Sequence, residues 1–336
     1  MKKRNYLILL FFLLLLSSSN ITEWSAPVPI TQPKETGIYP ENPQKLKQLE
    51  WKKKEDALAL LHKGQILWQY NFDKAEGKPF FHPLCTPDGT KLTWLRPEDH
   101  PWHRAVWFSW KYINGLNYWE EDRETGQSEG TTELRSVDYN LSEDFQATFH
   151  LKLAYHPPGK DDLLQEKRII QVATPSNDGS YYIDWETTFT AMAGKVVLDR
   201  TPIPGEPNGK SWGGYAGFAA RLDEHLQVSR ILDARGKTGD LHGKPSKWLT
   251  YEVKNVEGEP ISLTIFDHPG NLNHPNKWFI EKNPDIPFYY FNPAILFDSK
   301  EVLEKGEKLH LKYRLLVSPG KRDQGQLQEH WKNFKK

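Results

Sequence analysis

Through most of the chain, apolar and polar positions alternate with period two in short runs broken by Gly, Pro, Asn and Asp, which is the signature of half-buried β-strands. Residues 308–317 alternate most clearly, and residues 148–155, 167–172, 182–190 and 261–266 show the same alternation or short apolar runs. Residues 58–61 and 65–70 flank His62-Lys63-Gly64 and predict a hairpin. The run Trp107-Phe108-Ser109-Trp110-Lys111-Tyr112 predicts a strand with Trp107 and Ser109 on one face and Phe108, Trp110 and Tyr112 on the other. Helical spacing is confined to residues 324–336. Many short strands with almost no helix predict an all-β chain built as a large antiparallel β-sandwich. No exact repeat is visible, which argues against a propeller or solenoid. The length fits a single supersandwich over residues 46–320 with a helical tail over 321–336, two smaller stacked sandwiches being the alternative.

The first residues change the picture of where this sandwich works. Met1-Lys2-Lys3-Arg4, an apolar stretch from Tyr6 to Leu16 and Ser17-Ser18-Ser19 read as a signal peptide over residues 1–22. A proline- and threonine-containing arm follows over 23–45. The apolar stretch is too short for the ~20 residues of a spanning helix, and no later segment is long enough. The expectation is therefore an exported protein, periplasmic or extracellular, with no membrane span after signal cleavage. Cys85 is the only cysteine, so no internal disulfide can form and the core must supply the stability. Forty-four basic and 44 acidic side chains give a formal net charge of zero, which makes no electrostatic case for nucleic acid as a partner. The 13 tryptophans suit either a wide sheet core or a cleft in which sugar rings stack.

Candidate chemistry concentrates in Arg96-Pro97-Glu98-Asp99-His100-Pro101-Trp102-His103-Arg104. Two prolines make this an extended loop rather than a helix, placed just before the aromatic strand, where binding groups are commonly found. His82, His268 and His274 also precede prolines at predicted strand exits. A neutral imidazole near pH 7 serves as acid, base or metal ligand, and Asp99 and Asp267, each directly before a histidine, are placed to orient one. Arg96 and Arg104 bracket the loop, either to clamp substrate or to neutralise Glu98 and Asp99. The charge run Glu120-Glu121-Asp122 reads first as a solvated face, with a carboxylate beside Trp119 as a candidate sugar contact. Glycines in Trp212-Gly213-Gly214-Tyr215 mark a turn or close approach. Asn292 lies in a turn whose amide is placed to face the same cleft.

The segments around His82, the 96–104 loop with Trp107-Phe108-Ser109-Trp110, Phe266-Asp267-His268-Pro269 with His274-Pro275, and residues 291–297 together resemble the PmoA-like family, which carries the label methane oxygenase PmoA. The resemblance covers most of the chain. It implies an exported bacterial protein associated with carbohydrate breakdown, with a fold similar to the galactose-mutarotase-like supersandwich. In such sugar enzymes a histidine acid and a carboxylate base act at the anomeric centre.

The leading expectation is a carbohydrate-directed enzyme working by acid–base chemistry in a concave sheet, its class (lyase, hydrolase or epimerase) open. His100, His103 and His268 would be the acid, base or ligand groups, with Asp99 and Asp267 orienting them. Arg96 and Arg104, with His82, His274 and Asn292, would hold substrate, and Trp102 or Trp107 would stack on it. A single site of this kind requires the histidines to lie within about 10 Å of one another. The first alternative is an oxidase or hydrolase that uses a divalent metal, copper, zinc or iron, on His82, His100, His103 and His268; no other cofactor is implied. The second is a non-catalytic glycan-binding protein whose histidines are structural.

Overall fold

Alternation along the strands is realised as a two-layer sandwich in which each sheet also carries an outer face. A computed structural model describes residues 46–336; the predicted signal peptide and arm lie outside the described residues. The first sheet has eight antiparallel strands in the order Leu49–Lys53, Ala57–His62, Gln65–Asn71, Phe80–Leu84, Val106–Ser109, Gly217–Arg221, Phe288–Pro293 and Trp278–Asn283. The second runs Gln227–Asp233, Trp248–Lys254, Pro260–Asp267, Lys308–Pro319, Tyr181–Ala191, Leu164–Val172, Ala147–His156 and Thr131–Leu141. A small third sheet pairs Glu301–Glu304, Lys195–Asp199, Tyr112–Ile113 and Leu116–Asn117. Among the described residues no helix is long and apolar enough to cross a membrane.

The hairpin predicted at His62-Lys63-Gly64 closes through Lys63 and Gly64, whose φ angles are 50° and 79°. Positive φ at both turn residues matches the right-handed twist of the flanking strands. Between the two large sheets the core is aromatic: Tyr70 meets Phe149 (ring centroids 4.8 Å apart), Phe108 meets Phe189 (5.2 Å) and Phe218 stacks on Tyr313 (5.3 Å). The outer face of the second sheet is covered by the C-terminal helix Gln324–Phe334, capped reciprocally by Asp323 and Gln326. Its Leu327, Trp331 and Phe334 pack on Trp248, Phe266 and Leu316, so the amphipathic spacing at the end of the sequence is a lid over that sheet.

The outer face of the first sheet positions the site. Because side chains alternate across a strand, Phe108 enters the inner core while Trp107 points to the opposite face, as the sequence predicts. The same split sends Phe218 and Ala220 inward and Ala219 outward, Ile280 inward and Phe279 outward, and Phe291 inward and Tyr290 outward. Trp107, Ala219, Phe279 and Tyr290 thus form a second apolar cluster, joined by Phe80 and Trp119.

Candidate active site

Residues 96–104 form a hooked loop closed by an antiparallel bridge between Leu95 and Arg104. Within it the Arg96 amide donates to the His103 carbonyl (2.9 Å), His100 to Pro97 (3.0 Å) and His103 to His100 (2.9 Å). These tight turns bring the His100 and His103 rings into a stack with centroids 4.6 Å apart. Arg96 and Ala105, at the two ends, sit at φ 51° and 60°. Left-handed backbone costs a non-glycine residue roughly 1–2 kcal/mol, so surrounding packing rather than local preference holds the loop in shape.

The loop hangs over the outer apolar cluster and encloses with it a cavity of about 470 Å³, within the usual size range of small-molecule sites. His100, Trp102 and His103 come from the loop. Phe279 and Glu281, with Phe288 and Tyr290, rise from two adjacent strands of the sheet. Trp119 and Glu120 enter from the chain leaving the small sheet, and Trp212 and Tyr215 from the glycine-containing turn. Rings therefore line most of the wall, with two carboxylates set among them.

The environments of those carboxylates differ. Burial alone would raise the Glu120 carboxyl, but the Lys111 ammonium and hydrogen bonds from Lys111, Tyr215 and Asn117 outweigh it and hold its pKa below the usual carboxylate range. Glu281 has no such donors: burial among Phe279, Phe288 and Tyr290 pushes its carboxyl up, only partly offset by His242 and Arg221. One carboxylate is kept ionised and the other is biased toward the protonated acid.

A third group is built by Asp99. Its Oδ2 lies 2.8 Å from His100 Nδ1, and the Arg221 guanidinium holds both Asp99 oxygens at 3.1 and 2.9 Å. Arg221 is buried between the Phe288 ring (3.9 Å to its centroid) and Trp94 (5.2 Å). With the His100 Nδ1 proton directed at Asp99, Nε2 carries the basic lone pair. Burial lowers the His100 pKa more than Asp99 raises it, so the ring is neutral near pH 7. His103 is buried more deeply, and burial above all drives it well below the usual histidine range. It lies between His100 and Tyr290, with Trp107 at 5.1 Å. Its Nδ1 and the Tyr290 hydroxyl are buried without a hydrogen-bond partner.

Several expected site residues are placed elsewhere. Asp267 is fully buried and ties down the turn after its own strand, accepting from Asn271, Asn276 and His274 (Nδ1 at 2.8 Å). His268 packs edge-on against Phe334 and His274 stacks on Trp331, both on the C-terminal helix, so neither lines the cavity. His82 sits beside Thr93 Oγ1 at 3.1 Å, its pKa pushed down to about 4 by burial and Lys91. Of the expected histidines, His100 and His103 come together in the cavity, and His82, His268 and His274 are not in its lining. Among the described residues no group of three or more His, Cys, Asp or Glu side chains is arranged to hold a metal ion.

Arg96 and Arg104 are not substrate clamps in this geometry, because both are consumed by Glu76 and Glu121. Arg104 is 2 % exposed, and Glu121 also receives Lys78 at 3.0 Å. Asn292 is fully buried and bonds the backbone of Ala216 and Phe218, joining two strands rather than facing the cavity. Trp107 forms the layer beneath His103, whereas Trp102 does line the cavity. Glu281, Tyr290 and Phe288 were not singled out from the sequence. The signal available is the two-residue spacing of Phe279 and Glu281, which puts a carboxylate on the same strand face as a ring.

Fold and site together define an antiparallel sandwich with an aromatic, carboxylate-bearing cavity on the outer face of one sheet. The chain belongs to DUF6807, a family of unknown function, which it matches over residues 57–332. This overturns the resemblance to the PmoA-like family and with it the methane oxygenase label. The segments that suggested it are in large part structural: Asp267, His274 and Asn292 hold turns and strands, as do the ion pairs of Arg96 and Arg104. Among solved structures, the chain is similar to a putative aldose 1-epimerase from Klebsiella pneumoniae subsp. pneumoniae MGH 78578, with 10% identity, a TM-score of 0.41 and coverage of 83% of this chain and 84% of that one. No curated protein matches.

Proposed function

We propose that the protein is a carbohydrate-directed enzyme that performs acid–base chemistry on a sugar held in the aromatic cavity. The observation that carries this reading is the opposed tuning of Glu120 and Glu281 inside one ring-lined pocket. Titratable groups driven apart by their surroundings mark acid and base assignments, and apolar ring faces match the C–H faces of a pyranose. Glu281, protonated, gives its proton to a ring or glycosidic oxygen. His100 Nε2, set by the Arg221–Asp99 chain, accepts a proton from a hydroxyl or water. Glu120 stays ionised and stabilises positive charge developing on the sugar.

The test follows proton NMR spectra of reducing sugars and glycosides incubated with the purified protein. At least one should change at its anomeric centre, and the rate should fall by about 10²–10⁴ in Asp99→Asn, which keeps the shape but removes the charge that orients His100. Binding without turnover would favour the glycan-binding reading, which the half-exposed Trp212 at the cavity also suits. Neither binding nor turnover on any sugar would end the carbohydrate reading.

A further inference from the structure

Trp212 is the one aromatic side chain among the large exposed hydrophobics of the described residues, with 48% of its surface in water. The others, Met192, Val256 and Ile286, do not line the cavity, whereas Trp212 does. Scattered surface apolar groups need no explanation, but this one stands on a tightly held turn. Lys210 and Gly214 donate their amides to the carbonyls of Pro202 and Thr201 at 2.9 Å each. A Cβ on Gly213 would come within 2.1 Å of the Pro202 carbonyl oxygen, and Gly214 has φ 101°. The glycines thus let the turn lie flat against residues 201–202 and present the indole at the rim. A ring carried on a fixed turn binds without the cost of ordering the backbone beneath it. Yet among the described residues Trp212 stacks on no other ring, although Trp102, Trp119 and Tyr215 of the same cavity all do.

The charges of the cavity point to the character of the ligand. Lys111 is paired with Glu120 and Arg221 with Asp99. Arg123, near the mouth, lies over the Trp102 ring and donates to the carbonyls of Glu98 and Asp99. Among the described residues no Lys or Arg forms an ion pair with Glu281. Among the described residues that line the cavity there is no Lys or Arg, so a ligand carboxylate or phosphate enclosed there would meet Glu120 and Glu281 with no lining cation to receive it. Glu120 is already paired with Lys111, and burial biases Glu281 toward its protonated form, so an ammonium would find little unpaired negative charge in the lining.

From these two observations we infer that the site takes an uncharged glycan of at least two rings, the first enclosed in the cavity and the next laid against Trp212. This rests on the carbohydrate reading above and names its substrate class. Trp212 is a binding platform and takes no part in proton transfer.

Titration calorimetry on the whole protein tests it, with glucose, galactose, cellobiose, lactose, maltose and glucuronate as probes. At least one disaccharide should bind about tenfold or more tightly than its own monosaccharides, the scale expected for covering one further apolar ring face. Trp212→Ala should remove that advantage, lowering disaccharide affinity about tenfold and monosaccharide affinity by much less, and Trp212→Phe should restore part of it. Glucuronate should bind more weakly than glucose. Equal affinity for one and two rings, loss of both together in Trp212→Ala, or preference for glucuronate would overturn the inference while leaving the carbohydrate reading intact. Absence of binding by every probe would overturn both.

Discussion

Glu281→Gln is expected to lower turnover by about 10²–10⁴ while sugar affinity changes no more than a few-fold. The substitution keeps the size of the side chain and its hydrogen-bonding capacity but removes the transferable proton. Under the proposed mechanism, activity needs Glu281 protonated and His100 neutral. Burial raises the first group above its ordinary 4.5 and lowers the second below its ordinary 6.5. The acid limb of the rate profile, where His100 gains a proton, therefore falls below 6.5. The alkaline limb, where Glu281 loses its proton, lies above 4.5. The two limbs approach each other, and the kcat/KM profile is a bell whose acid limb reports His100 and whose alkaline limb reports Glu281. In Glu281→Gln the residual activity should lose the alkaline limb and keep the acid one. A variant with wild-type turnover, or one whose alkaline limb persists unchanged, would remove Glu281 from the acid role. Asp99→Asn should alter the opposite limb, and this separates the two groups even if their rates fall equally.

The fold was legible because burial writes itself into alternation. In a two-layer sandwich each strand must show one apolar face, and residues such as Phe108 and Leu311 repeat at the spacing that burial demands. The first sheet departs from that simple pattern, since Trp107, Phe279 and Tyr290 make its outer face apolar as well. Strands buried on both faces lose the alternation, and for that reason Trp278–Asn283 and Phe288–Pro293 passed unrecognised and Glu281 with them. Half of the site was readable from the density of polar groups around His100. The other half comes from far along the chain: Arg221 is 122 residues from the Asp99 it holds. No local pattern encodes such a pairing. The same holds for Arg96 and Arg104, whose partners Glu76 and Glu121 lie outside the loop. His268 and His274 were grouped with His100 by a shared His-Pro pattern, which records only that each stands where the chain turns and takes its own neighbours there.

Arg168→Met is expected to destabilise the protein by about 3–5 kcal/mol, the usual consequence of removing one member of a buried ion pair. Arg168 and Glu166 lie two residues apart on the inward face of Leu164–Val172, 1 % and 0 % exposed at their side chains. Nε and Nη2 of Arg168 donate to the two Glu166 oxygens at 2.7 and 2.9 Å. Tyr155 and Thr187 donate their hydroxyls to the same carboxylate at 2.5 and 2.6 Å, and the guanidinium lies 4.5 Å from the Trp185 ring centroid. Without Arg168 the carboxylate keeps two neutral donors but no counter-charge, and it must either remain ionised in an apolar core or take up a proton. Glu166→Gln in the same background removes that charge. The double variant should therefore lose less stability than the two single changes added together, with a coupling of roughly 0.5–3 kcal/mol measured by urea unfolding. A single-variant loss under about 1 kcal/mol, or strict additivity, would show that the pair contributes little and that Tyr155 and Thr187 suffice. The pair faces the space between the sheets, whereas the cavity lies on the far side of the opposite sheet. Folded Arg168→Met should bind sugar as wild type does, while Glu281→Gln should leave the urea midpoint nearly unchanged. If the two variants instead lose stability and activity together, the outer cavity draws its geometry from the inner core, and the Glu281 result must be read as a packing effect rather than as the loss of a proton donor.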